Sequence, residues 1–197
     1  DYYSHRAQIR FKQVTSNYTY DIGVAAVPSS SQSIDLINSD RNIPKRTVFN
    51  VAPYLRYRYK MGKHPSLRIA YRGYSSQPSM NQLQPVEDRS DPLRIVVGNP
   101  ELQPAFQNWF RARFNDYDEK TQRAIMAMVN GGFTTNSIIS ETTYDSKTGG
   151  QRTTYRNVNG VWNAAGMFMY STPFRNKHWQ LNSFSRVSYS NSVGYNN

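Results

Sequence analysis

Apolar and polar residues alternate one by one along most of this chain. In residues 6–11, RAQIRF, every second residue is apolar, and the same alternation resumes after a corner at Ser16 and stops at Pro28. Successive side chains of a β-strand point to opposite faces of the sheet. An alternation with a period of two therefore predicts strands that have one apolar face.

This alternation predicts eight strands joined by polar connections. Their approximate ranges are residues 6–11, 18–26, 49–59, 67–71, 110–114, 125–133, 162–170 and 179–189. The connections near residues 16, 60, 116 and 172 are short, whereas those that follow residues 28, 74 and 140 are long. Outer-membrane barrels have short periplasmic turns and longer extracellular loops. The pattern therefore predicts an all-β, antiparallel, up-and-down transmembrane β-barrel, with eight of its strands in this chain.

Other structures fit parts of the same pattern. Antiparallel strands with one apolar face also build soluble sandwiches and closed barrels, in which that face is the core. Residues 104–129 could form a helix, because a proline precedes many good helix formers, although NDYD at residues 115–118 favours a turn. Residues 140–157 contain Gly149 and Gly150, and they fit either a long loop or the tip of an extended hairpin.

Composition agrees with β structure and excludes a helical membrane protein. The chain has 15 Tyr, 9 Phe and 3 Trp, and no shift in composition divides residues 1–197 into two domains. Its longest apolar run, residues 124–129, is far shorter than the ~20 residues of a membrane helix. The lack of cysteine excludes disulfides and thiolate metal sites. Several aromatic residues near predicted strand ends fit interfacial girdles: Tyr57, Tyr59, Tyr71, Phe114 and Tyr170.

The chain has a net charge of +11, and the positions of its cations indicate which side of the predicted strands faces the lumen. Those on the polar side of the predicted strands are Arg10, Lys12, Arg56, Arg58, Arg68, Arg72, Arg111 and Arg113. If the apolar side faces lipid, these side chains line the lumen, which avoids about 2–4 kcal/mol per charge at mid-membrane. They would then contact a plug or a ligand. The alternative is a structural row of solvated or ion-paired arginines.

A nucleic-acid-binding sheet is a weaker explanation of the same charges. Interleaved Arg and Tyr suit phosphate contacts and base stacking. A soluble sheet, however, needs a cover for its apolar face, and outside residues 104–129 the sequence offers no amphipathic helix for this purpose. We therefore expect no nucleic-acid partner.

Residues for catalysis or metal binding are sparse. The three histidines lie near turns without metal-ligand spacing, and the sequence has neither a nucleophile elbow nor a phosphate-binding loop. Glu87, Asp88 and Asp91 could bind a cation, although Asp before Pro is ordinary turn chemistry. We therefore expect no enzymatic activity, no metal and no cofactor.

Residues 79–105, SMNQLQPVEDRSDPLRIVVGNPELQPA, interrupt the alternation. A connection of about 27 residues is well beyond the roughly 12–15 residues above which loops are usually functional. Because each proline removes a ladder donor, we predict only a short strand over residues 93–97, followed by a turn at Gly98-Asn99-Pro100. The loop residues singled out as a shaped extracellular rim are Gln82, Pro85, Asp88, Asp91, Pro92, Gly98, Asn99, Pro100 and Pro104.

The motifs QPSxxQLQP, DxSDP and GNPxLxP follow one another in this region. Their residues are Gln77, Pro78, Ser79, Gln82, Leu83, Pro85, Asp88, Ser90, Pro92, Gly98, Asn99, Pro100, Leu102 and Pro104. In this order they resemble a segment of Bacteroidota-type TonB-dependent receptors, an outer-membrane β-barrel family. The likeness continues through residues 144–168 and covers most of the chain from Val48 onward. One departure is Ala105, where the family often has an acidic residue.

The resemblance implies TonB-dependent uptake of an unidentified ligand across the bacterial outer membrane. Such receptors resemble barrels of about 22 strands closed by an N-terminal plug. This chain has neither a plug nor a TonB-contacting segment, and it ends SVGYNN, so we expect a C-terminal-half fragment of a larger barrel. The implied partners are membrane lipid, the plug of the parent chain, the TonB system through that plug, and an extracellular ligand or surface lipoprotein. A small self-contained barrel, acting as an adhesin or structural protein, is the alternative.

Overall fold

The structure of the protein, a computed structural model, describes residues 2–34, 43–88, 91, 93–144, 146–147, 149–174 and 178–196. Fourteen strands and one short helix are present in these residues. The strands are β1 (Tyr2–Ser4), β2 (Ala7–Val14), β3 (Tyr18–Ser33), β4 (Ile43–Lys60), β5 (Ser66–Ser76), β6 (Glu87–Asp88), β7 (Arg94–Val97), β8 (Ala105–Asp118), β9 (Arg123–Thr135), β10 (Ser137–Tyr144), β11 (Gln151–Val158), β12 (Val161–Pro173), β13 (Gln180–Asn191) and β14 (Tyr195–Asn196), and the helix is α1 (Met80–Leu83). The predicted all-β class is confirmed.

The main sheet contains all eight strands predicted from the alternation. Its order is β1, β3, β4, β5, β8, β9, β12 and β13, with β2 also paired to β3, so that β1 and β2 share one edge position. Every pairing in this sheet is antiparallel. The predicted up-and-down order is therefore confirmed. The helical alternative for residues 104–129 is excluded, because β8 and β9 occupy them.

The strands are longer than predicted, and the predicted boundary at Pro28 is wrong. β3 continues to Ser33 and β4 begins at Ile43, so both ends of the predicted loop are strand; residues 35–42 lie outside the described residues. The carbonyl oxygen of Pro28 accepts a hydrogen bond from the N–H of His5 at 3.0 Å, in the gap between β1 and β2. The N–H and C=O of a strand residue point to the same side. The donor that proline lacks therefore faces an interrupted strand, where its loss is tolerated.

The turn between β8 and β9 comes later than predicted. Residues 115–118 belong to β8, and the chain reverses at residues 119–122. The Asp118 carboxylate closes this turn, because it accepts hydrogen bonds from the Lys120 N–H at 3.0 Å and from the Thr121 hydroxyl at 2.9 Å. Gln122 completes the reversal with a left-handed φ of 54°. An aspartate does stabilise the turn, as predicted, but the turn that Asp118 stabilises follows this residue and does not lie within residues 115–118.

Two of the long connections and the end of the chain form a second, five-stranded sheet. Its order is β14, β10, β11, β7 and β6. β10 and β11 pair along their whole length, so the described part of residues 140–157 forms an extended hairpin and not a long irregular loop. β7 confirms the short strand predicted at residues 93–97, and it pairs with β11 in parallel. The two connections therefore fold against each other, and we call residues 77–104 and 136–160 together the loop module.

A small apolar core lies in the loop module. Leu102 is 1% exposed and Leu83, at the end of α1, is 4% exposed. Three partly buried side chains pack against these two leucines: Met80, Ile138 and Tyr155. Ile138 and Tyr155 come from the hairpin, so the core joins the two connections. Hydrophobic burial therefore helps to hold the loop module together.

Both edges of the main sheet are open within the described residues. No pairing joins β2 to β13, and the side chains of both strands are exposed along nearly their whole length. The apolar side chains at these edges include Ile9, which is 78% exposed, and Val187, which is 70% exposed. The main sheet is therefore an open antiparallel wall, consistent with part of a barrel.

A single methyl group at Gly98 tests the packing of the loop module. Gly98 is buried, and a Cβ at this position would overlap the backbone of Gln84, just after α1. We expect Gly98→Ala to speed protease cleavage within residues 77–104 at least about fivefold, because overpacking typically costs about 1–3 kcal/mol. Limited proteolysis of the full protein in outer-membrane vesicles measures this rate.

The control for this substitution is Gly166→Ala. No atom lies within 4 Å of a Cβ added to Gly166, in the middle of β12. We expect its cleavage rate to match that of the unmodified protein. Equal acceleration by the two substitutions would contradict a specific packing role for Gly98.

Candidate functional site

The register of the main sheet separates its side chains into two faces, because directly paired residues of adjacent strands point to the same side. One row of paired residues is apolar: Tyr57, Ile69, Ala112, Val129, Gly166 and Val187. The adjacent row, on the other face, is Asp21, Arg56, Ala70, Arg111, Asn130 and Ala165. All seven arginines singled out in the sequence, and Lys12, share this second face: Arg10, Lys12, Arg56, Arg58, Arg68, Arg72, Arg111 and Arg113. We call it the polar face.

Three of these arginines occupy directly opposed positions on adjacent strands. Arg58 is opposite Arg68, and Arg68 is opposite Arg113. Like charges in such positions repel each other, so this row does not stabilise the sheet by itself. Arg113 donates to the side-chain oxygen of Asn115 at 2.9 Å and lies 3.3 Å from the sulfur of Met126. The row therefore places concentrated positive charge near the short turns.

An ion pair between Arg10 and Asp21 also lies on the polar face, where Asp21 of β3 is directly opposite Arg56 of β4. Arg10 binds Asp21 through two hydrogen bonds, Nε to Oδ1 at 2.8 Å and Nη2 to Oδ2 at 2.6 Å. The Tyr54 hydroxyl donates to the same carboxylate at 3.2 Å, and Gln8 donates to the Tyr54 oxygen at 3.2 Å. Asp21 is only 6% exposed, so these donors compensate the removal of its charge from water. The alternation predicted neither this pair nor the position of Asp21 beside the arginines.

Three cavities border Arg56 on this face. Their volumes are about 500, 430 and 350 Å³. Asp21 lines the two larger cavities, but no carboxylate lines the smallest one. The smallest cavity is lined by three of the predicted arginines, Arg56, Arg72 and Arg111, together with the amide side chain of Asn130. Of these three arginines, Arg111 lines only the smallest of the three cavities, whereas Arg56 also lines both larger ones and Arg72 also lines the largest.

Aromatic rings collect at two levels of the apolar face. Near the short turns, Tyr57 and Tyr59 stack with ring centres 6.4 Å apart, and Phe114 is opposite Leu67. Tyr71, which was predicted near a strand end, lies in the middle of β5 instead, because that strand continues to Ser76. Its ring packs against Phe110 at 4.8 Å. The exposed apolar side chains and rings of this face are those that lipid contact requires.

The predicted loop residues lie in the loop module, but they act mainly on its own structure. Gln82 and Ser79 form the capping box of α1, with hydrogen bonds of 2.9 and 3.3 Å. Gly98 allows the close approach to Gln84 described above, and Asn99 donates to the carbonyl oxygen of Tyr155 at 2.9 Å. The remaining predicted positions are Pro85 after α1, Asp88 in β6, Pro100 in the turn after β7 and Pro104 before β8; Pro92 lies outside the described residues.

Two of the three acidic residues considered as a cation site have other partners, and the side chain of the third, Asp88, lies outside the described part of the structure. The Glu87 carboxylate accepts a hydrogen bond from Arg152 at 2.8 Å. Asp91 accepts from the N–H of Leu93 at 3.0 Å, which is the turn chemistry that the Asp-Pro sequence predicted. No group of three or more His, Asp or Glu side chains in the described part of the chain is placed to hold a metal ion.

The sequence did not predict the role of Asn157, whose side chain forms hydrogen bonds that connect the two segments of the loop module. The Asn157 side chain donates to the carbonyl oxygens of Gln103 and Asn136 at 2.9 and 2.8 Å, and its oxygen accepts from the N–H of Gln103 at 2.8 Å. Asn157 lies in β11, 54 residues from Gln103. The residues next to Asn157 in the sequence do not predict this contact, because it forms only when two segments that are distant in sequence pack together.

The sequence matches the model of the outer membrane protein beta-barrel family over residues 8–197. The chain therefore belongs to this family, and the bacterial outer membrane is its location. Among the described residues, no helix has the length and apolar character needed to cross a membrane. No curated protein matches the sequence.

Two solved structures of siderophore receptors are similar to this chain in fold. The receptor PirA from Pseudomonas aeruginosa aligns over 96% of this chain and 43% of its own, with a TM-score of 0.50 and 10% identity. PirA from Acinetobacter baumannii aligns over 96% of this chain and 36% of its own, with a TM-score of 0.51 and 8% identity. This chain thus spans less than half the length of either receptor.

Adjacent alanines on β12 test which face of the sheet meets lipid. Ala164 is on the apolar face, opposite Gly131 and Tyr189, whereas Ala165 is on the polar face, opposite Asn130 and Ser188. We expect Ala164→Arg to lower the free energy of unfolding by about 2–4 kcal/mol, because its charge must enter the hydrocarbon region. Denaturant titration of the full protein in lipid vesicles measures this change.

The matched substitution is Ala165→Arg. It adds the same side chain one residue away on the same strand, and we expect it to change the free energy of unfolding by less than about 1 kcal/mol. A larger loss for Ala165→Arg than for Ala164→Arg would reverse the assignment of the faces.

Proposed function

We propose that this chain is part of a TonB-dependent outer-membrane receptor that imports a ligand. The observation that carries this proposal is the open main sheet, whose edge strands β2 and β13 stay unpaired within the described residues. Open strand edges cannot persist in lipid, since every backbone polar group there needs a partner. Further strands beside β2 and β13 would complete a larger barrel, as the similarity to part of two siderophore receptors also suggests.

In this proposal the polar face lines the lumen and the loop module is extracellular. The short turns at one end of the sheet would then be periplasmic, as in other outer-membrane barrels. The arginines of the polar face would contact the transported ligand or a plug that fills the barrel of the parent protein. An interior with so much charge suits a wide, plugged barrel better than a small one, whose interior is filled by side chains.

A small self-contained barrel is less well supported. Closing eight strands would require β13 to pair with β2, and the described residues contain no such pairing. It would also bring the row of Arg58, Arg68 and Arg113 into a narrow, crowded interior. An adhesive or structural role would require this small closed barrel. Neither the unpaired edges of the main sheet nor the row of arginines favours such a barrel.

The proposal predicts an energy-dependent uptake defect when the protein is absent. A strain that lacks the full-length protein should lose growth on one limiting nutrient from a panel of ferric siderophores, glycans and peptides. Deleting TonB should abolish growth on the same nutrient, because a plugged receptor needs energy from the inner membrane to release its ligand. Growth on each nutrient, with and without complementation, measures the effect.

Loss of TonB in the strain that already lacks the receptor provides the control. On the affected nutrient we expect no further loss of growth, because both deletions block one route. An additive loss on that nutrient, or an adhesion defect without any uptake defect, would contradict TonB-dependent import by this protein.

A further inference from the structure

One arrangement on the polar face has no structural explanation within the sheet. Arg56, Ala70 and Arg111 are directly opposite one another on β4, β5 and β8. Neighbouring strands lie about 4.8 Å apart, so the backbones of the two arginines are separated by about 10 Å, with only a methyl group between them. Arg72 lies two residues further along β5 on the same face. We call these four residues the arginine cradle.

The arginine cradle encloses an open space. The cavity of about 350 Å³ lies here, and the rings of Tyr54 and Trp109 and the amide of Asn130 also line it. A larger side chain at position 70 would occupy the floor of this space. The small residue therefore leaves room for a cavity that three arginines line.

Within the described residues the arginine cradle has no ion pair of its own: Asp21, opposite Arg56 on β3, interacts with Arg56 through space but forms its ion pair with Arg10. Arg56, Arg72 and Arg111 have no ion pair and no hydrogen bond with any described side chain. Their contacts are with aromatic rings, since Arg56 lies 5.8 Å from the Tyr54 ring centre and Arg72 lies 5.2 Å from that of Tyr74. Stacking leaves the N–H groups of a guanidinium available to an acceptor.

The neighbouring cations are used differently. Arg10 is engaged by both oxygens of Asp21. Arg113 donates to Asn115. Arg58 and Arg68 lie side by side with no small residue between them, and their cavity is also lined by Asp21. Of the three cavities described on this face, the one at the cradle therefore combines arginines that have no ion pair, room for a ligand and a lining without a carboxylate.

We propose that the arginine cradle binds an oxyanion group, carboxylate or phosphate, of the ligand that the receptor transports. Each guanidinium presents a planar fork of N–H donors that matches two oxygens of such a group. Three cations that line one cavity favour a multiply charged anion, and the two aromatic rings would contact its apolar part. The inference rests on the proposed function, because it assigns a chemical class to the imported ligand.

Binding of inorganic pyrophosphate to the purified full-length protein in detergent tests this site. Isothermal titration calorimetry should give saturable binding that weakens at least about tenfold in Arg56→Gln and in Arg111→Gln, since each substitution removes charge-assisted hydrogen bonds to the anion. Ala70→Leu should weaken binding by a similar factor, because it fills the floor of the cradle and leaves every charge in place.

Arg68→Gln is the matched control. It removes the same charge from the same face of β5, two residues from Ala70, but Arg68 does not line the cradle. We expect it to change pyrophosphate affinity by less than about twofold. No saturable binding, equal weakening by Arg68→Gln and Arg111→Gln, or full binding in Ala70→Leu would each overturn the assignment of the cradle as a specific oxyanion site.

Growth on the imported nutrient separates this inference from the proposed function. TonB-dependent growth that is unaffected by Arg56→Gln and Arg111→Gln, with no pyrophosphate binding, would overturn the cradle and leave the receptor function intact. Cradle-dependent pyrophosphate binding in a protein whose deletion causes no uptake defect would overturn the receptor function and leave the oxyanion site intact. Reduced growth and reduced pyrophosphate affinity in the same two variants support both.

Discussion

Hydrogen bonding between neighbouring strands is the constraint on which the rest of this structure depends. Lipid offers a backbone no alternative partner, so a chain in a membrane must pair its strands without interruption through the hydrocarbon region. β4 accordingly runs for 18 residues, and it pairs with β3 on one side and β5 on the other. Pro28, inside β3, faces the gap between β1 and β2, and Pro53, inside β4, lies just beyond the last β4 residue that pairs with β5. The open edges at β2 and β13 are the places where this constraint is still unmet among the described residues.

The same strand pairing keeps the apolar side chains on one face of the main sheet and the charged side chains on the other. Because the strands from β4 to β13 in the main sheet keep their register with one another, apolar residues such as Ile69 and Val129 stay on one face, and Arg68 and Arg111 stay on the other. A shift of one residue in any pairing would move a whole set of arginines into lipid. The cost of a charge in lipid therefore helps to fix the register, and it concentrates cations on the polar face whether or not each one binds a ligand.

Outside the sheet, the long connections meet a different requirement. Away from lipid, their backbone groups can be satisfied by water, so their order must come from contacts between the connections themselves. Those contacts are the parallel pairing of β7 with β11, the small core around Leu83 and Leu102, and the hydrogen bonds of Asn157. The prolines of residues 79–105 limit the strands there to short lengths. The sequence motif that contains these prolines packs against the β10–β11 hairpin as part of the loop module.

The sequence by itself determined the eight strands of the main sheet, though not their ends, together with their order and the face of the arginines singled out from the alternation, because alternation is a local property of neighbouring residues. It also determined the short strand β7 and the turn after it, since proline and glycine act on their own backbone. Only the tertiary structure decided that Asp21 neutralises Arg10, that Asn157 joins Gln103, and that Ala70 opens a space between Arg56 and Arg111. Each of these depends on which residues of distant segments are opposite one another, and pairing register is a property of the whole sheet that no single stretch of sequence contains.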